Sequence, residues 1–444
     1  MELLNNTWTT LLLLLTSPLG QGWWDLILKL IPFVIFLELP VYVVILLGIV
    51  RYALRLDLQI PEERSYYPKV TCLIPCYSEG QAVQRTIKSL LLQNYPGKIE
   101  TIVIVDGAEQ NRHTYQAALA MMPFFDGNAL RRLQVIPKWQ RGGKVSSLNM
   151  GFQLTTDEIV FALDGDISFD YNMVLNATQH FADPGVVGLA GSLRVRNARV
   201  NLVTRIQALE YMLTIQAAKV GLNEFNAVNI ISGALGAFRR EFVLKIGGFD
   251  SGSAEDLDLV LRIKSYFGRH PGLRIVFEPR VMGYTDAPET WRGFFKQRMR
   301  WDGDLYYLYV RKHHLAFAPR LMGWSNLFFQ VWTGLFFQLV MPFIILFYSL
   351  AIFTLYPPHF VFAIWILIYL MYMVVALLFF LAYIVVISDR RVEDLQLSLL
   401  LVILPLYTYA QRIWNALATL KEATCKAHLD SSMAPWWVLR NSKF

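Results

Sequence analysis

Two kinds of hydrophobic pattern divide the chain. Near the start, Leu30 to Val50 is an apolar run interrupted by one charge, Glu38. A run of about 20 such residues is the length of a helix that crosses a bilayer. After Arg320 the apolar runs return as Leu327–Tyr356 and Phe360–Ile387, joined by a tight Pro357–Pro358 turn, and each is long enough to span. A further segment, Leu397–Leu417, is broken by Pro405 and carries Gln411 and Arg412, a pattern compatible with a span or with a re-entrant segment. The Leu11–Leu15 run is too short to span. It lacks a basic lead-in and a small-residue cleavage site, so a removed leader is not expected.

Between the apolar ends the period changes. Short β-branched runs at Val70–Pro75, Ile102–Val105, Leu133–Ile136 and Ile159–Leu163 predict strands, and Ala82–Gln93 and Thr114–Met121 carry helical spacing. Strand–helix alternation with fully apolar strands predicts an α/β fold, with a mainly parallel sheet covered on both faces. The expected organisation is an N-terminal membrane segment (1–60), a soluble domain (61–320), a membrane region (321–420) and a tail (421–444). Around 291–310, Trp291, Phe294, Phe295 and Trp301 alternate with Arg292, Lys296, Arg298 and Arg300, the pattern of a basic amphipathic helix at a membrane surface.

Composition sharpens this picture. Hydrophobic residues make up 55% of 444 and charged residues only 17%, against about 25% charged in soluble domains. The shortfall excludes a disordered chain and favours a membrane protein. The formal charge of +7 comes with no nucleic-acid recognition motif, and retention of basic residues on the cytoplasmic side accounts for it. Nucleic acid is therefore not an expected partner. Arg51 and Arg55 follow the first apolar run and place the soluble segment in the cytoplasm. Three cysteines, Cys72, Cys76 and Cys425, cannot make a disulfide framework. Cys72 and Cys76 flank an apolar dipeptide with no second pair nearby, which favours core packing over zinc.

Parallel sheets bind ligands at the carboxyl ends of their strands, where this sequence turns polar. The first predicted strand runs into Tyr77-Ser78-Glu79 and the second into Asp106-Gly107, an aromatic face and two carboxylates suited to a nucleoside. Asp164-Gly165-Asp166 follows the fourth. Two carboxylates separated by a glycine can face a hard divalent cation. Lys144 after Gly142-Gly143 is read equally as a phosphate contact or a solvated loop lysine. Ala254-Glu255-Asp256-Leu257-Asp258 has the composition of a solvated helix start, because carboxylates favour the helix N-terminus. Gln297-Arg298-Met299-Arg300-Trp301 closes the series.

In this order the Tyr77–Glu79 strand end, Asp106, Asp164-Gly165-Asp166, Glu255-Asp256 and Gln297-x-x-Arg300-Trp301 resemble the membrane-embedded processive glycosyltransferases of family 2, which make cellulose, hyaluronan and poly-N-acetylglucosamine. The resemblance covers roughly residues 61–320, and the overall layout is most similar to the poly-N-acetylglucosamine synthases. Ser232-Gly233 resembles an acceptor-side loop of the family. The resemblance implies a cytosolic GT-A-type, Rossmann-like domain set between transmembrane helices and followed by amphipathic interface helices. It implies an inverting, UDP-sugar-dependent β-glycosyltransferase at the plasma membrane that polymerises its sugar and exports the chain.

By that resemblance Tyr77, Glu79 and Asp106 hold uridine, while Asp164 and Asp166 hold the diphosphate through Mg²⁺ or Mn²⁺ beside Lys144. Asp256 is the base, with Glu255 next to it as second candidate. Ser232, Gly233, Gln297, Arg298, Arg300 and Trp301 contact donor or acceptor, and Trp324, Trp332 and Tyr348 are candidates to line the exit. The implied partners are the UDP-sugar, the growing polysaccharide, the bilayer and small membrane or export subunits. Two positions depart from the pattern: residue 105 is Val where a second acid is usual, and Ala254 replaces the usual Thr before the Glu-Asp pair. The competing readings are a UDP-glucose-using β-glucan synthase, a transferase to a lipid acceptor, and a transporter or scaffold with a degenerate nucleotide site.

Overall fold

The computed structural model describes residues 1–16, 34–58, 66–250 and 254–425. Residues 30–33 of the expected first span and 426–444 of the expected tail lie outside the described residues. The soluble part is built on eight strands, β1 (Val70–Cys76), β2 (Ile99–Asp106), β3 (Arg131–Lys138), β4 (Ile159–Leu163), β5 (Ser168–Phe169), β6 (Val186–Val195), β7 (Leu235–Arg239) and β8 (Arg274–Thr285). They form one sheet in the order β3-β2-β1-β4-β7-β6-β8-β5. The pairs β1/β2, β2/β3, β1/β4 and β6/β8 are parallel; β4/β7, β6/β7 and β5/β8 are antiparallel. This is the mixed, mostly parallel α/β sheet the sequence predicts.

Both faces are covered. Leu73 of β1 joins a core with Ile102, Phe152 and Leu259 that continues into the membrane helices through Ile45, Phe379 and Tyr383. Its neighbours Cys72 and Ile74 point the other way, into a core with Val83, Ile87 and Ala118, as the two-residue period of a strand requires. Cys72 and Cys76 are buried free thiols in that second core, consistent with the packing reading. Because β1, β2 and β4 are parallel neighbours, the residues that follow them leave the sheet along one edge.

Among the described residues, three helices are long and apolar enough to cross a membrane: Val34–Asp57, Trp324–Leu355 and Pro358–Ile387. The first runs past its expected end through Arg51 and Arg55, and both pair with Glu224 of the sheet domain, at 3.6 and 2.6 Å. Gly48 of this helix lies against Gly221, where a Cβ would meet the Gly221 carbonyl oxygen at 2.1 Å. Only glycine permits that approach of two backbones. Glu38 is fully buried against Arg412 (3.4 Å) and Tyr372, so the single charge in the first run has a counter-charge.

The ambiguous segment after residue 390 resolves into two pieces, Arg391–Val402 and Leu404–Cys425, bent by 70°. The pair is not one straight span. Leu404–Cys425 is wedged between the sheet domain and the long apolar helices. Tyr407 Oη donates to Glu210 (2.6 Å) and Trp414 Nε1 to the Phe295 carbonyl (2.9 Å), while Tyr409 bonds Ser349 (2.9 Å). Trp332 donates to the Leu37 carbonyl between helices (3.2 Å), and Trp324 is exposed.

Arg194 of β6 fixes the loop that follows the last long span. It donates to Asp394 (2.9 Å), Asp389 (2.5 Å) and the Tyr383 hydroxyl (3.0 Å), and Ser388 also donates to Asp394 (2.6 Å). The Pro357–Pro358 turn is therefore at the end of these two apolar helices away from the sheet domain. Replacing Arg194 by Met leaves Asp394 buried without its cation, a loss of about 3–5 kcal/mol for a broken buried pair. The melting temperature of the purified full chain in detergent should fall accordingly, and Asp394→Leu in the same chain should recover part of it. An unchanged melting temperature would show that this loop does not hold the domain.

Candidate active site

The site is assembled at the sheet edge from turns, each held by the backbone. After β1, the Tyr77 amide donates to the Glu79 carboxylate (2.7 Å), which folds this strand end into a tight turn. After β2, the buried Asp106 carboxylate accepts from the Gly142 and Gly143 amides, both at 2.9 Å, and pairs with Lys138 at 2.8 Å. Asp106 thus anchors the start of the Gly143–Leu154 helix. Neighbouring Arg141 stacks over the Tyr77 ring at 4.3 Å, so a guanidinium covers one aromatic face expected to receive a base.

Lys144, in the first turn of that helix, is the hub. Its Nζ lies 2.7 Å from Asp164 and 2.8 Å from Glu255, and donates to the Gly233 carbonyl at 3.3 Å. The solvated-loop reading of this lysine is overturned. Burial alone would lower the Lys144 pKa, but Asp164 and Glu255 outweigh it and hold the ammonium firmly charged. Gly233 is held in turn by its amide, which donates to Asp256 (2.9 Å). A Cβ on Gly233 would lie 3.0 Å from Glu255, 3.1 Å from Lys144 and 3.5 Å from Asp256, so three side chains from two helices close on its bare backbone. Ser232 precedes it in the same turn.

The acids at the start of the Glu255–Lys264 helix are not a solvated cluster. Asp258 is wholly buried against Arg262 (2.9 Å), Lys312 (2.7 Å) and His313 (2.7 Å). Glu255 and Asp256 diverge. Burial raises the Glu255 pKa, but the Lys144 charge outweighs it and the net shift is downward, with Arg300 contributing. Burial and the Glu255 charge push Asp256 up to about 6, although the Gly233 and Leu257 amides favour its ionised form. Ala254, just before them, sits in the left-handed region at φ 48°, so the helix begins with a sharp turn that aims both acids at Lys144 and Gly233.

Asp166 and Glu79 complete an acidic rim. Burial, with Asp164 beside it, raises Asp166 to about 6, and burial raises Glu79 to about 7 with Asp166 and Asp164 adding to it. A Cβ on Gly165 would touch Glu79 Cγ at 3.1 Å, which places the three acids around one glycine. Among the described residues, no group of three or more His, Cys, Asp or Glu side chains forms a closed cation site. A carboxylate pair at an open rim nevertheless fits Mg²⁺ or Mn²⁺, since Mg²⁺ binds through one or two carboxylates and takes its remaining ligands from water and substrate phosphates. Hard oxygen donors suit both ions.

The Trp291–Tyr306 helix forms a further wall beside these acids, where the sequence predicts an interface helix. Arg300 is near enough to act on Glu255, and Trp301 is half-buried. Arg298 faces elsewhere: it pairs with Glu210 at 2.9 Å and covers the Trp301 ring at 4.6 Å, so the structure binds it into the protein rather than leaving it open to substrate. The Gln297 side-chain oxygen is buried without a partner. Sequence reasoning missed Lys138, Arg141 and Lys219. Burial lowers the Lys219 pKa to about 8 against the opposing charge of Asp256, and its ammonium lies over the Phe277 ring at 5.8 Å; the signal was a lone lysine in the apolar stretch Ala217–Leu222. Lys264, at the other end of the acidic helix, is fully buried and donates to Asn229 (3.2 Å) and to Gln330 of the second span (2.9 Å), which joins this helix to the membrane.

Lys144→Met would leave Asp164, Glu255 and Asp256 facing one another. Lys144 and Asp164 are each about a third exposed, at 34% and 35%, so the expected loss is about 1–3 kcal/mol, below the value for a fully buried pair. Glu255 has a depressed folded pKa, so its share of stability is present above the unfolded carboxylate range and fades as pH falls through the folded value. The melting difference between wild type and Lys144→Met should thus be large at pH 8 and shrink below about pH 4. A pH-independent difference would contradict the hub.

Residues 68–303 match the family described as glycosyltransferase-like family 2. Similar proteins include the poly-beta-1,6-N-acetyl-D-glucosamine synthase of Staphylococcus aureus (strain COL), 28% identical over 255 residues, 57% of this chain and 58% of the relative. The synthase of the same name from Staphylococcus epidermidis (strain ATCC 35984) is 27% identical over 247 residues, 55% of this chain and 56% of the relative. The match thus spans less than two thirds of the length of these relatives. A solved structure of a mannosyltransferase from Pyrobaculum calidifontis, in complex with GDP-Man and Mn²⁺, superposes with a TM-score of 0.54 at 20% identity, covering 89% of this chain and 99% of that one. That likeness is one of fold, and agrees with the GT-A-type sheet described above. The family match takes in the Asp164–Asp166 rim, the Lys144 hub and the Trp301 wall together, and the chain belongs to the family 2 glycosyltransferases.

Proposed function

We propose that this chain is an inverting, processive β-glycosyltransferase that polymerises a UDP-sugar, UDP-N-acetylglucosamine by preference, and passes the polymer across the plasma membrane from a cytoplasmic active site. The observation that carries the reading is the arrangement around Asp256. A buried carboxylate, oriented by the Gly233 and Leu257 amides (2.9 and 2.8 Å), stands beside a lysine that reaches the diphosphate rim. The named relatives favour N-acetylglucosamine as the sugar.

In this reading Tyr77, Glu79 and Asp106 form the nucleoside end, with Asp106 shaping the Gly142–Gly143 turn as well. A divalent cation held by Asp164 and Asp166 would supply positive charge to the diphosphate oxygens, and the structural neighbour is itself a complex with GDP-Man and Mn²⁺. Lys144 and Arg300 bring further positive charge to the leaving group. The acceptor hydroxyl attacks the anomeric carbon from the side opposite UDP. Its proton passes to Asp256, the bond to UDP breaks, and the configuration inverts. Trp301 offers a ring face to the acceptor sugar and positions that hydroxyl. The bilayer and the spans are then the exit route, and small export subunits are candidate partners.

Incubating the purified full chain with separate radiolabelled UDP-sugars tests the reading. Extension of UDP-N-acetylglucosamine into a hydrolase-sensitive ladder supports it. A ladder only from UDP-glucose would move the assignment to a β-glucan synthase, and a single sugar on extracted lipid would replace polymerisation. Asp256→Asn keeps the shape and can accept one of the two backbone N–H bonds but takes no proton, and should reduce transfer about 10²–10⁴-fold with UDP affinity nearly unchanged. Retention of more than about a tenth of the rate would pass the base assignment to Glu255.

Two solution dependences follow. Chelation by EDTA should abolish transfer and added Mg²⁺ or Mn²⁺ restore it; full activity in chelator would remove Asp164 and Asp166 as ligands. The base works ionised, and Asp256 is raised to about 6 by burial and Glu255, with Lys144 and Lys219 also facing it. At saturating metal, kcat/KM should therefore rise with pH and level off above about 7. A plateau already reached at pH 5 would contradict a raised base.

A further inference from the structure

Asp302 follows Trp301 on the interface helix, and no step above uses it. Its side chain is half-buried, yet it makes no hydrogen bond or ion pair with any described residue. Its oxygens are absent from the sealed, unpartnered atoms of the interior, so they face reachable space. The charges nearest to it, Arg298 and Glu210, are already spent on each other at 2.9 Å. Glu210 is further saturated by Tyr407 (2.6 Å) and Gln411 (3.2 Å).

One turn back along the helix, the side-chain oxygen of Gln297 and the Nε of Arg298 are sealed from solvent, so Asp302 is the unpartnered polar group of this turn that a ligand can reach, and an unmade bond there is one that a ligand supplies. Arg298 covers one face of Trp301 at 4.6 Å, so a sugar stacks on the other. Asp302 therefore stands next in the helix to the single aromatic that the proposed reaction gives to the acceptor.

We infer that Asp302 is a saccharide-binding residue of the acceptor track, bonding a hydroxyl or amide N–H of the sugar unit behind the one on Trp301. The inference rests on the polymerase reading. Burial, with Glu210 adding to it against Arg298, raises the carboxyl to about 7, so near neutral pH both protonation forms exist, and the group can accept or donate to a neutral sugar.

The test uses purified full chain in detergent, UDP-N-acetylglucosamine, and an N-acetylglucosamine pentamer as acceptor, reading UDP release and pentamer extension. Asp302→Ala should raise the half-saturating pentamer concentration about 5- to 50-fold while the donor half-saturation moves less than about twofold. Asp302→Asn, which keeps shape and hydrogen bonding, should return the pentamer value to within about threefold of wild type. If wild type shows no pentamer-stimulated UDP release, the polymerase reading and this inference fall together. If wild type responds and Asp302→Ala stays within about twofold for pentamer, the inference alone falls. It also falls if Ala and Asn lower melting temperature and kcat alike with no separation of the two half-saturations, because that is a structural role.

Discussion

The site depends on one ammonium group. Asp164, Glu255 and Asp256 come from two separate elements into one cleft, and like charges so placed repel unless a cation sits among them. Lys144 is that cation, at 2.7 Å from Asp164 and 2.8 Å from Glu255, and its third contact is the Gly233 carbonyl. A lysine suits this post because its donors diverge from one point, whereas a planar guanidinium would favour a single bidentate partner. Its own position is inherited from Asp106, which holds the preceding Gly142 and Gly143 amides. A chain of contacts therefore runs from β2 through a glycine turn to the acids of a distant helix.

The two halves of the site have different mechanical supports. The half proposed to bind the donor stands on the ends of β1, β2 and β4, whose buried parallel ladders fix it rigidly to the sheet. The half proposed to bind the acceptor stands on helices that are themselves bonded to the long apolar helices. Glu210 collects Arg298 from the interface helix and Tyr407 and Gln411 from the wedge helix. Lys264 carries the far end of the acidic helix to Gln330, which also donates to Tyr309 (2.8 Å). A displacement of the second span would thus reach the acidic helix through a polar contact. The nucleoside end would feel it only through the sheet.

Much of this was legible in the sequence where residue type and position coincide. β4 has the predicted bounds, because an apolar run between polar ends leaves no other choice. β2 and β3 are longer than predicted, since Glu100, Thr101, Arg131 and Arg132 lie in the parallel ladder although they break the apolar run. β6 escaped prediction because Gly188, Gly191 and Ser192 interrupt it; at Gly191 a Cβ would strike the Leu235 side chain at 2.5 Å. The acids of the site could be named from strand ends and motif order, but their pairings could not. The amphipathic pattern around Arg298 says which way it faces and cannot name Glu210. The composition around Glu255 and Asp258 suggested solvated acids, because nothing local announces Lys144, Lys312 or His313.

The same long-range pairings explain how two adjacent acids acquire opposite tendencies. Glu255 and Asp256 share a helix start and both are pushed up by burial. Lys144 sits directly on Glu255, so that residue stays ionised and acts as a fixed negative charge. Asp256 receives less of the lysine and all of its neighbour's charge, and is lifted to about 6. Environments that push two neighbouring carboxyls apart assign them separate work. Under the proposed reaction the acid with the higher affinity for a proton takes it, while its neighbour anchors the lysine. The Lys144 contact thus organises the diphosphate rim and also selects which of the two acids serves as base.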